Sequence, residues 1–217
     1  MAPANSTSPH KRKLPPRASP SSVEHLAQIS WLRPYLDDHD FRIIPDNRTV
    51  TNDGRGHTLM GKTWNTESTI KALLSFWRPP PEDLRGKDIT ELSLPMPEST
   101  RPEVRRFCTL GPDLNAHPDL LHGGVISCLL DSCLGGCVGM LLSHSRDENP
   151  MFTVQLHVTY KKPIKTPGTV MLRAWVVKIE EEGRKVWAEG VVEGEGNIVH
   201  ASAQGMWLRA GKKQHKL

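Results

Sequence analysis

The sequence contains few cysteines and no apolar leader, and each shortage excludes a class of protein. Four of its 217 residues are cysteines, and no two are spaced as a Cys-x-x-Cys pair. This disfavours a disulfide framework or a zinc module and favours reduced thiols. Residues 1–20 lack the continuous apolar core of a signal peptide, and no apolar run reaches the roughly 18 to 20 residues of a spanning helix. We therefore expect an intracellular protein, cytoplasmic or mitochondrial, without a membrane span.

Acidic residues are absent before Glu24, whereas the same segment holds four lysines and arginines among many prolines and serines. This composition predicts a disordered basic tail over residues 1–22, with a targeting peptide or a nuclear signal as alternatives. A second basic tail is expected over residues 211–217. Because the tails account for much of the formal charge of +4, the region between them is close to neutral, and we expect no nucleic-acid interface.

The remaining length suits one domain with a proper core, preceded by an extension over residues 23–100. Apolar spacing and turn residues indicate the elements of this extension. They are a helix at 23–36 broken near Pro34, strands at 41–44 and 57–64 around a turn at 52–54, and a capped amphipathic helix at 65–77.

Residues 101–210 carry the clearest pattern. Eighteen residues from Val125 to Leu142 include a single charge, which predicts a long helix that is apolar all round and therefore buried. A strand is expected before this helix and four after it, each alternating with a period of two and having one buried face. The predicted strands are 105–110, 152–160, 170–179, 185–193 and 198–209. One long helix with consecutive antiparallel strands predicts an α+β hotdog fold, in which a sheet wraps around the helix.

Asp131 is the one charge in the predicted core helix, and an isolated carboxylate among apolar residues needs partners or a task. A structural contact or a dimer contact is the alternative to a catalytic role. Directly before the helix stand His122, Gly123 and Gly124. Unpaired N–H groups and the positive end of the helix dipole would face incoming negative charge there, and glycine lets a substrate carbonyl approach the backbone. By itself this motif also fits a plain helix-entry turn.

In combination these motifs resemble the 4-hydroxybenzoyl-CoA thioesterase superfamily, in its phenylacetic-acid-degradation and mammalian acyl-CoA thioesterase branch. The shared features occur in the same order over about residues 107–208. They are a His-Gly-Gly turn at 122–124, an aspartate nine residues after the histidine, and a strand that opens near Thr153 and ends in Tyr-Lys-Lys-Pro at 160–163.

The resemblance implies hydrolysis of an acyl-CoA or acyl-carrier thioester, as in lipid metabolism, without a metal or other cofactor. Gly123 would supply the N–H that polarises the thioester carbonyl, and Asp131 would be the nucleophile or the base that activates water. Thr153 would orient that water or Asp131, with an ordinary strand threonine as the alternative. His122 and Gly124 would bind the substrate, His122 by orienting the turn or the ligand. Relatives pair two such domains edge to edge, so a homodimer or homotetramer is expected, with the substrate at the subunit boundary.

Other residues are candidates for substrate contact. Asn115 and His117, in the loop that enters the turn, could touch the thioester or the acyl group. Lys161 and Lys162 could meet the phosphates of CoA, although a solvated strand end has the same composition.

The cysteines of the predicted core helix are expected to be small buried hydrophobic residues, because their spacing fits neither a nucleophile nor a metal site. Three rival functions remain open from the sequence. They are a non-catalytic acyl-thioester-binding protein, a hotdog hydratase or dehydratase, and an enzyme of acyl transfer or product release in secondary metabolism.

Overall fold

The computed structural model describes residues 20–45, 48–85, 92–143 and 149–210. Its α-helices are α1 (Pro20–Ala27), α2 (Arg33–Leu36) and α3 (Gly123–Leu142). Its strands are β1 (Arg42–Ile44), β2 (Ile70–Arg78), β3 (Glu103–Leu110), β4 (Asn115–His117), β5 (Leu120–Leu121), β6 (Met151–Tyr160), β7 (Gly168–Glu180), β8 (Lys185–Gly194) and β9 (Ile198–Arg209).

Seven of these strands form one antiparallel sheet in the order β1-β2-β3-β7-β8-β9-β6, and β4 and β5 form a separate hairpin. The inner face of the sheet packs on α3. Leu129, Leu130 and Leu134 of α3 join buried residues of the surrounding strands in one core cluster. A sheet around one long helix is the predicted α+β hotdog arrangement, and this prediction is confirmed.

Helix α3 begins two residues earlier than predicted and is not buried on all sides. Cys128 and Gly139 are exposed and Asp131 is half-buried, so the sheet leaves one stripe of the helix uncovered. By length and hydropathy α3 would suffice to cross a membrane. The prediction that no apolar run reaches that length was therefore wrong, although the helix lies in the core of the sheet.

The N-terminal segment packs on the outer face of the sheet. One helix broken near Pro34 was predicted, but α1 ends at Ala27 and Pro34 lies in the first turn of α2. Proline is tolerated there because the first N–H groups of a helix have no intrahelical acceptor. Buried residues from this segment and from β2, β3 and β7 form a second core cluster. Its largest members are Leu26, Leu32, Phe41, Leu74, Phe76, Phe107 and Met171.

Two predictions for the extension were wrong. The predicted helix at 65–77 is strand β2, which lies between β1 and β3. Apolar residues of β2 face both core clusters, Leu73 towards α3 and Phe76 towards the N-terminal segment. The spacing of apolar residues along the strand therefore matched that of an amphipathic helix. The predicted strand at 57–64 is instead one π-helical turn, Leu59–Thr63. The turn at 52–54 is present, with positive φ at all three residues.

A buried ion cluster fixes the N-terminal segment to the outer face. Glu103 is fully buried and accepts hydrogen bonds from Arg101, Arg105 and Arg173 at 2.8 to 3.1 Å. Arg105 also bonds Asp38, which follows α2, at 2.7 Å. Because each buried charge has partners, the cluster avoids the cost of an unpaired ion.

Among the strands that the structure describes, β6 is an edge of the sheet and pairs only with β9. Its alternating apolar residues were predicted to form one buried face, and this is correct only in part, because Leu156 and Val158 pack against the core but are half-buried. Phe152, Val154 and Tyr160 are 58%, 55% and 54% exposed. A long edge strand with exposed apolar side chains is the kind of surface to which another strand adds.

Candidate active site

Asp131 lies on the uncovered stripe of α3, opposite the start of β6. The Thr153 hydroxyl donates a hydrogen bond of 2.8 Å to Asp131 Oδ1. The register of β6 against β9 shifts between Thr153 and Gln155, an irregularity of the kind that re-aims side chains. In the described part of the chain Oδ2 of Asp131 has no hydrogen-bond partner. The carboxylate is thus oriented through one oxygen, and the other is available to a ligand or water.

The turn before α3 is closed by the side chain of His122. This residue is the N-cap, with extended backbone, and its Nδ1 accepts the Gly124 N–H at 2.8 Å. A neutral imidazole that accepts at Nδ1 carries its proton on Nε2. The carbonyl of His122 accepts from the N–H groups of Val125 and Ile126 at 3.0 and 3.3 Å.

The Gly123 N–H belongs to the same peptide unit as that His122 carbonyl. Hydrogen bonds accepted at one end of a peptide strengthen donation at the other. Across the residues that the structure describes, the Gly123 N–H has no acceptor. It therefore offers an unpaired donor at the positive end of the α3 dipole, the arrangement that stabilises a developing oxyanion.

Gly123 and Asp131 are too far apart within one chain to act on one carbonyl. They are eight positions apart on α3, which is about 12 Å along the helix axis. An oxyanion donor and a base must each lie about 3 Å from their reacting atoms. One chain therefore presents two half-sites, one at the start of α3 and one at its middle.

Comparison with known proteins identifies the segment that holds these half-sites. Residues 119–182, which include the Gly-Gly turn, α3 and β6, match the family model described as the thioesterase superfamily. This segment is thus similar to the thioesterase superfamily. This confirms the resemblance drawn from the sequence.

Curated relatives that match part of the chain carry the name acyl-coenzyme A thioesterase THEM4. The protein from Bos taurus is 27% identical over 110 residues, which are 49% of this chain and 42% of the relative. The protein from Mus musculus is 31% identical over 83 residues, 38% of this chain and 32% of the relative. The match thus spans less than half the length of these relatives.

Solved structures similar to the chain include thioesterase superfamily member 2 from zebra fish. It is 16% identical, with a TM-score of 0.44 over 50% of this chain and 75% of that chain. A hypothetical thioesterase from Streptococcus pneumoniae, crystallised with coenzyme A, is 15% identical, with a TM-score of 0.44 over 52% and 84% of the two chains.

The predicted substrate residues ahead of the thioesterase-superfamily segment are on the β4–β5 hairpin. The Asn115 side chain accepts a hydrogen bond from the Thr166 hydroxyl, and the Asn115 backbone pairs with Leu121. His117 is exposed on the same hairpin. The Asn115 amide thus holds the hairpin to the turn after β6, while His117 is open to solvent.

Lys161 and Lys162 follow β6 within the thioesterase-superfamily segment, and both side chains are exposed. Their backbone N–H groups donate to the His200 carbonyl at 2.8 and 3.0 Å. The backbone is thus fixed to β9, and two ammonium groups project from the end of the strand nearest the Gly-Gly turn.

The cysteines of α3 do not form a reactive cluster. Burial raises the pKa of Cys133 to about 11 and that of Cys137 above its usual range. Cys128 is exposed, contrary to the prediction that it is buried. Although the residue is exposed, partial burial of its sulfur raises the pKa of Cys128, and the charge of Asp131 raises it further. In the described ranges no three His, Cys, Asp or Glu side chains converge as metal ligands.

Sequence reasoning missed the contacts made by Tyr160 and Ser127. The Tyr160 hydroxyl donates to the Gly123 carbonyl at 3.0 Å and lies 2.6 Å from the Ser127 hydroxyl. Ser127 also donates to the Gly123 carbonyl at 3.3 Å. The position of Tyr160 at the end of a strand was visible in the sequence, but its neighbour across the fold was not.

Proposed function

We propose that this chain is an acyl-CoA thioesterase, which hydrolyses an acyl thioester to a free acid and CoA. The observation that carries the proposal is the hydrogen bond from Thr153 to Asp131, which orients the carboxylate. Asp131 lies on the same helix as Gly123, whose N–H is unpaired among the described residues. The match of residues 119–182 to the thioesterase superfamily and the similarity to relatives named acyl-coenzyme A thioesterases support it.

In the proposed reaction Asp131 brings about attack on the thioester carbonyl carbon, by one of two routes. As a base, it accepts a proton from a water whose oxygen attacks that carbon, while Thr153 holds the carboxylate in place. As a nucleophile, it attacks directly, and water then cleaves the resulting anhydride. In both routes the carbon–sulfur bond breaks and the CoA thiolate leaves and takes up a proton.

The oxyanion of this reaction would be bound by Gly123 of a second copy. This follows from the separation of about 12 Å within one chain, and from the exposed apolar edge of β6, to which another copy could add. Two antiparallel β6 strands would place the two chains in a symmetric pair. Each site would then combine Asp131 and Thr153 of one chain with the Gly123 N–H of the other.

His122 has a binding role in this proposal rather than that of a base, because its Nδ1 is engaged by the Gly124 N–H. A hydratase would want a catalytic histidine paired with a carboxylate on the helix, so this contact favours hydrolysis. Lys161 and Lys162 are proposed to contact the phosphates of CoA from the strand end.

Release of thiol from a panel of acyl-CoAs and acyl carrier proteins tests the activity. We expect Asp131→Asn to lower kcat by about 10² to 10⁴, with an unchanged circular dichroism spectrum and Tm. Binding of acyl-CoA without thiol release by the wild type would favour a non-catalytic binding protein. A full rate in Asp131→Asn would remove Asp131 from the mechanism.

The oxyanion donor can be removed without disturbing the helix. Gly123→Pro deletes the N–H at the first helical position, where proline is tolerated, and His122 already has the extended conformation that precedes proline. Gly123→Ala is the matched control, because it keeps the N–H and its Cβ would lie at an ordinary 3.4 Å from Tyr160. We expect loss of kcat by about 10²-fold or more in the proline variant only.

Mixing the two inactive variants tests whether each site spans two chains. A hybrid of Asp131→Asn and Gly123→Pro would contain one intact site, so random exchange should restore about one quarter of the wild-type activity. No recovery in verified hybrids would show that both groups act within one chain, and would overturn the shared site.

A further inference from the structure

Strand β6 is fastened to α3 at two points, one at each half-site. Near the start of β6, Thr153 bonds Asp131. At the end of β6, the Tyr160 hydroxyl bonds the Gly123 carbonyl and lies within hydrogen-bond distance of Ser127. The first contact was anticipated for catalysis, whereas the second has no assigned role.

The second contact acts on a segment that has little rigidity of its own. Gly123 and Gly124 have no side chains, and glycine has more backbone freedom than any other residue. Three groups of contacts restrain the peptide units on either side of Gly123. They are the two N–H donors on the His122 carbonyl, the Gly124 N–H on His122 Nδ1, and the Tyr160 and Ser127 hydroxyls on the Gly123 carbonyl.

The Tyr160 ring adds a steric restraint. An added Cβ on Gly123 would lie 3.4 Å from Cε1 of Tyr160, so the ring covers this side of the Gly123 backbone. The turn therefore has little room to move towards β6. The hydroxyl and the ring together limit both rotation of the Gly123–Gly124 peptide and displacement of the helix start.

We propose that Tyr160 is a positioning residue, which fixes the direction of the Gly123 N–H through its bond to the Gly123 carbonyl and its contact with Ser127. The proposal rests on the function proposed above, because it gives the Gly123 N–H the oxyanion as its ligand. Tyr160 itself does not touch the reacting atoms. Its effect should appear in the rate of the chemical step, since a misdirected donor weakens the transition state more than the bound substrate.

Tyr160→Phe removes the hydroxyl and keeps the ring. The chain has two tyrosines, and Tyr35→Phe is the matched control because the Tyr35 hydroxyl donates to Asn197, away from both half-sites. We expect Tyr160→Phe to lower kcat by about five- to tenfold, because it removes one hydrogen bond that positions the Gly123 peptide. KM should stay within about twofold, and Tyr35→Phe should match the wild type.

A double-mutant cycle with Ser127→Ala tests the connection between the two hydroxyls. If they act together on the Gly123 carbonyl, Ser127→Ala should cost less in the Tyr160→Phe background than alone. A wild-type kcat in Tyr160→Phe, or a change confined to KM, would overturn the positioning role. Light scattering on each variant checks that the oligomeric state is unchanged.

Amide hydrogen exchange gives a readout that does not depend on activity. Loss of the hydroxyl should speed exchange of the Gly124 N–H, because the peptide that donates to His122 is no longer held at its carbonyl. Asp131→Asn and Tyr35→Phe should leave this exchange rate unchanged. An exchange rate in Tyr160→Phe equal to that of the wild type would contradict the positioning role, even if the protein hydrolysed no thioester. Failure of the positioning role can therefore be distinguished from failure of the proposed thioesterase function.

Discussion

Thr153 donates a hydrogen bond of 2.8 Å to Asp131, and this contact joins the edge strand β6 to the helix at the centre of the sheet. The two residues are 22 positions apart in the chain, so only the fold brings them together. The hydroxyl satisfies one carboxylate oxygen, which selects one orientation of the Asp131 side chain. The effects of substituting Thr153 can therefore be predicted from geometry alone.

Thr153→Val should lower kcat by about tenfold, because it keeps the shape of the side chain but leaves the carboxylate without its orienting donor. Thr153→Ser should retain most of the activity, since it keeps the hydroxyl. Steady-state thiol release for the two variants is the measurement. Equal rates for valine and serine would reduce Thr153 to an ordinary strand residue.

His122→Asn should preserve the start of α3, whereas His122→Ala should not. Asparagine is a strong N-cap that can accept the Gly124 N–H, and loss of a capping side chain typically costs about 1 kcal/mol. Urea denaturation should show this difference in the free energy of unfolding. If both variants lose activity equally while only alanine loses stability, the imidazole contributes to substrate binding beyond its contact with Gly124.

A charge on the β6 edge should separate the proposed dimer. Val154→Lys places an ammonium group among exposed apolar side chains of that edge, and edge lysines oppose strand pairing. The matched control is Ile43→Lys on β1, the opposite edge, where Ile43 is 49% exposed. Size-exclusion chromatography with light scattering should detect monomers for Val154→Lys alone. An unaltered mass for Val154→Lys would place the interface elsewhere.

Cys128 should be the first thiol of α3 to be alkylated in the folded protein. Burial and the charge of Asp131 raise its pKa, so its rate with iodoacetamide should increase as the pH rises above the usual range of a thiol. Asp131→Asn removes the second of these causes, and the rate at a fixed pH should increase. Mass spectrometry of quenched samples identifies the modified residue. An identical rate in Asp131→Asn would mean that its charge does not reach the sulfur.

The Glu103 cluster should make the stability of the fold depend on acid pH. Burial acts to raise the pKa of Glu103, but the hydrogen bond from Arg173 and the charges of Arg173, Arg101 and Arg105 outweigh it, and the pKa lies below its ordinary value of 4.5. A carboxyl with a lower pKa in the folded chain stabilises the fold above its unfolded pKa. This contribution should disappear as the pH falls below about 4.5 through the folded value.

Glu103→Gln tests this expectation. Loss of the Glu103 charge leaves the buried Arg105 and the partly buried Arg101 and Arg173 without their central partner. Breaking such a cluster should cost about 3 kcal/mol or more at neutral pH. The dependence of stability on acid pH should become weaker. Glu82→Gln, in an exposed ion pair with Arg85 at 3.4 Å, should have little effect. Parallel curves for Glu103→Gln and the wild type would contradict the assignment.

The elements that were predicted correctly from the sequence are those that pack against a single core. Helix α3, β3 and the three strands from β7 to β9 lie close to their predicted bounds, because each has an apolar pattern that one core explains. Strand β2 was predicted as a helix because it is buried on both faces, by α3 on the inside and by the N-terminal helices on the outside. A two-sided strand shows no alternation, and its apolar spacing can match that of a helix.

In the candidate site, likewise, some features could be predicted from the sequence and others could not. The sequence singled out His122, Gly123 and Asp131 as candidates because their chemistry is unusual at the start and middle of an apolar helix. The contacts of Asn115 with Thr166 and of Tyr160 with the Gly123 carbonyl were not predicted, because these partners are distant in sequence. The alternation in β6 was predicted correctly as a strand, but pattern alone cannot state whether an apolar face meets the same chain or another.

The two ends of the sheet differ in a way that limits assembly. Strand β1 has three residues and offers few backbone groups for pairing, whereas β6 has ten. A copy that joins through β6 thus leaves only short outer ends. In the proposed dimer, a filament would therefore have no long strand edge on which to grow, and an exposed apolar strand that elsewhere could start a fibril would here form a closed pair.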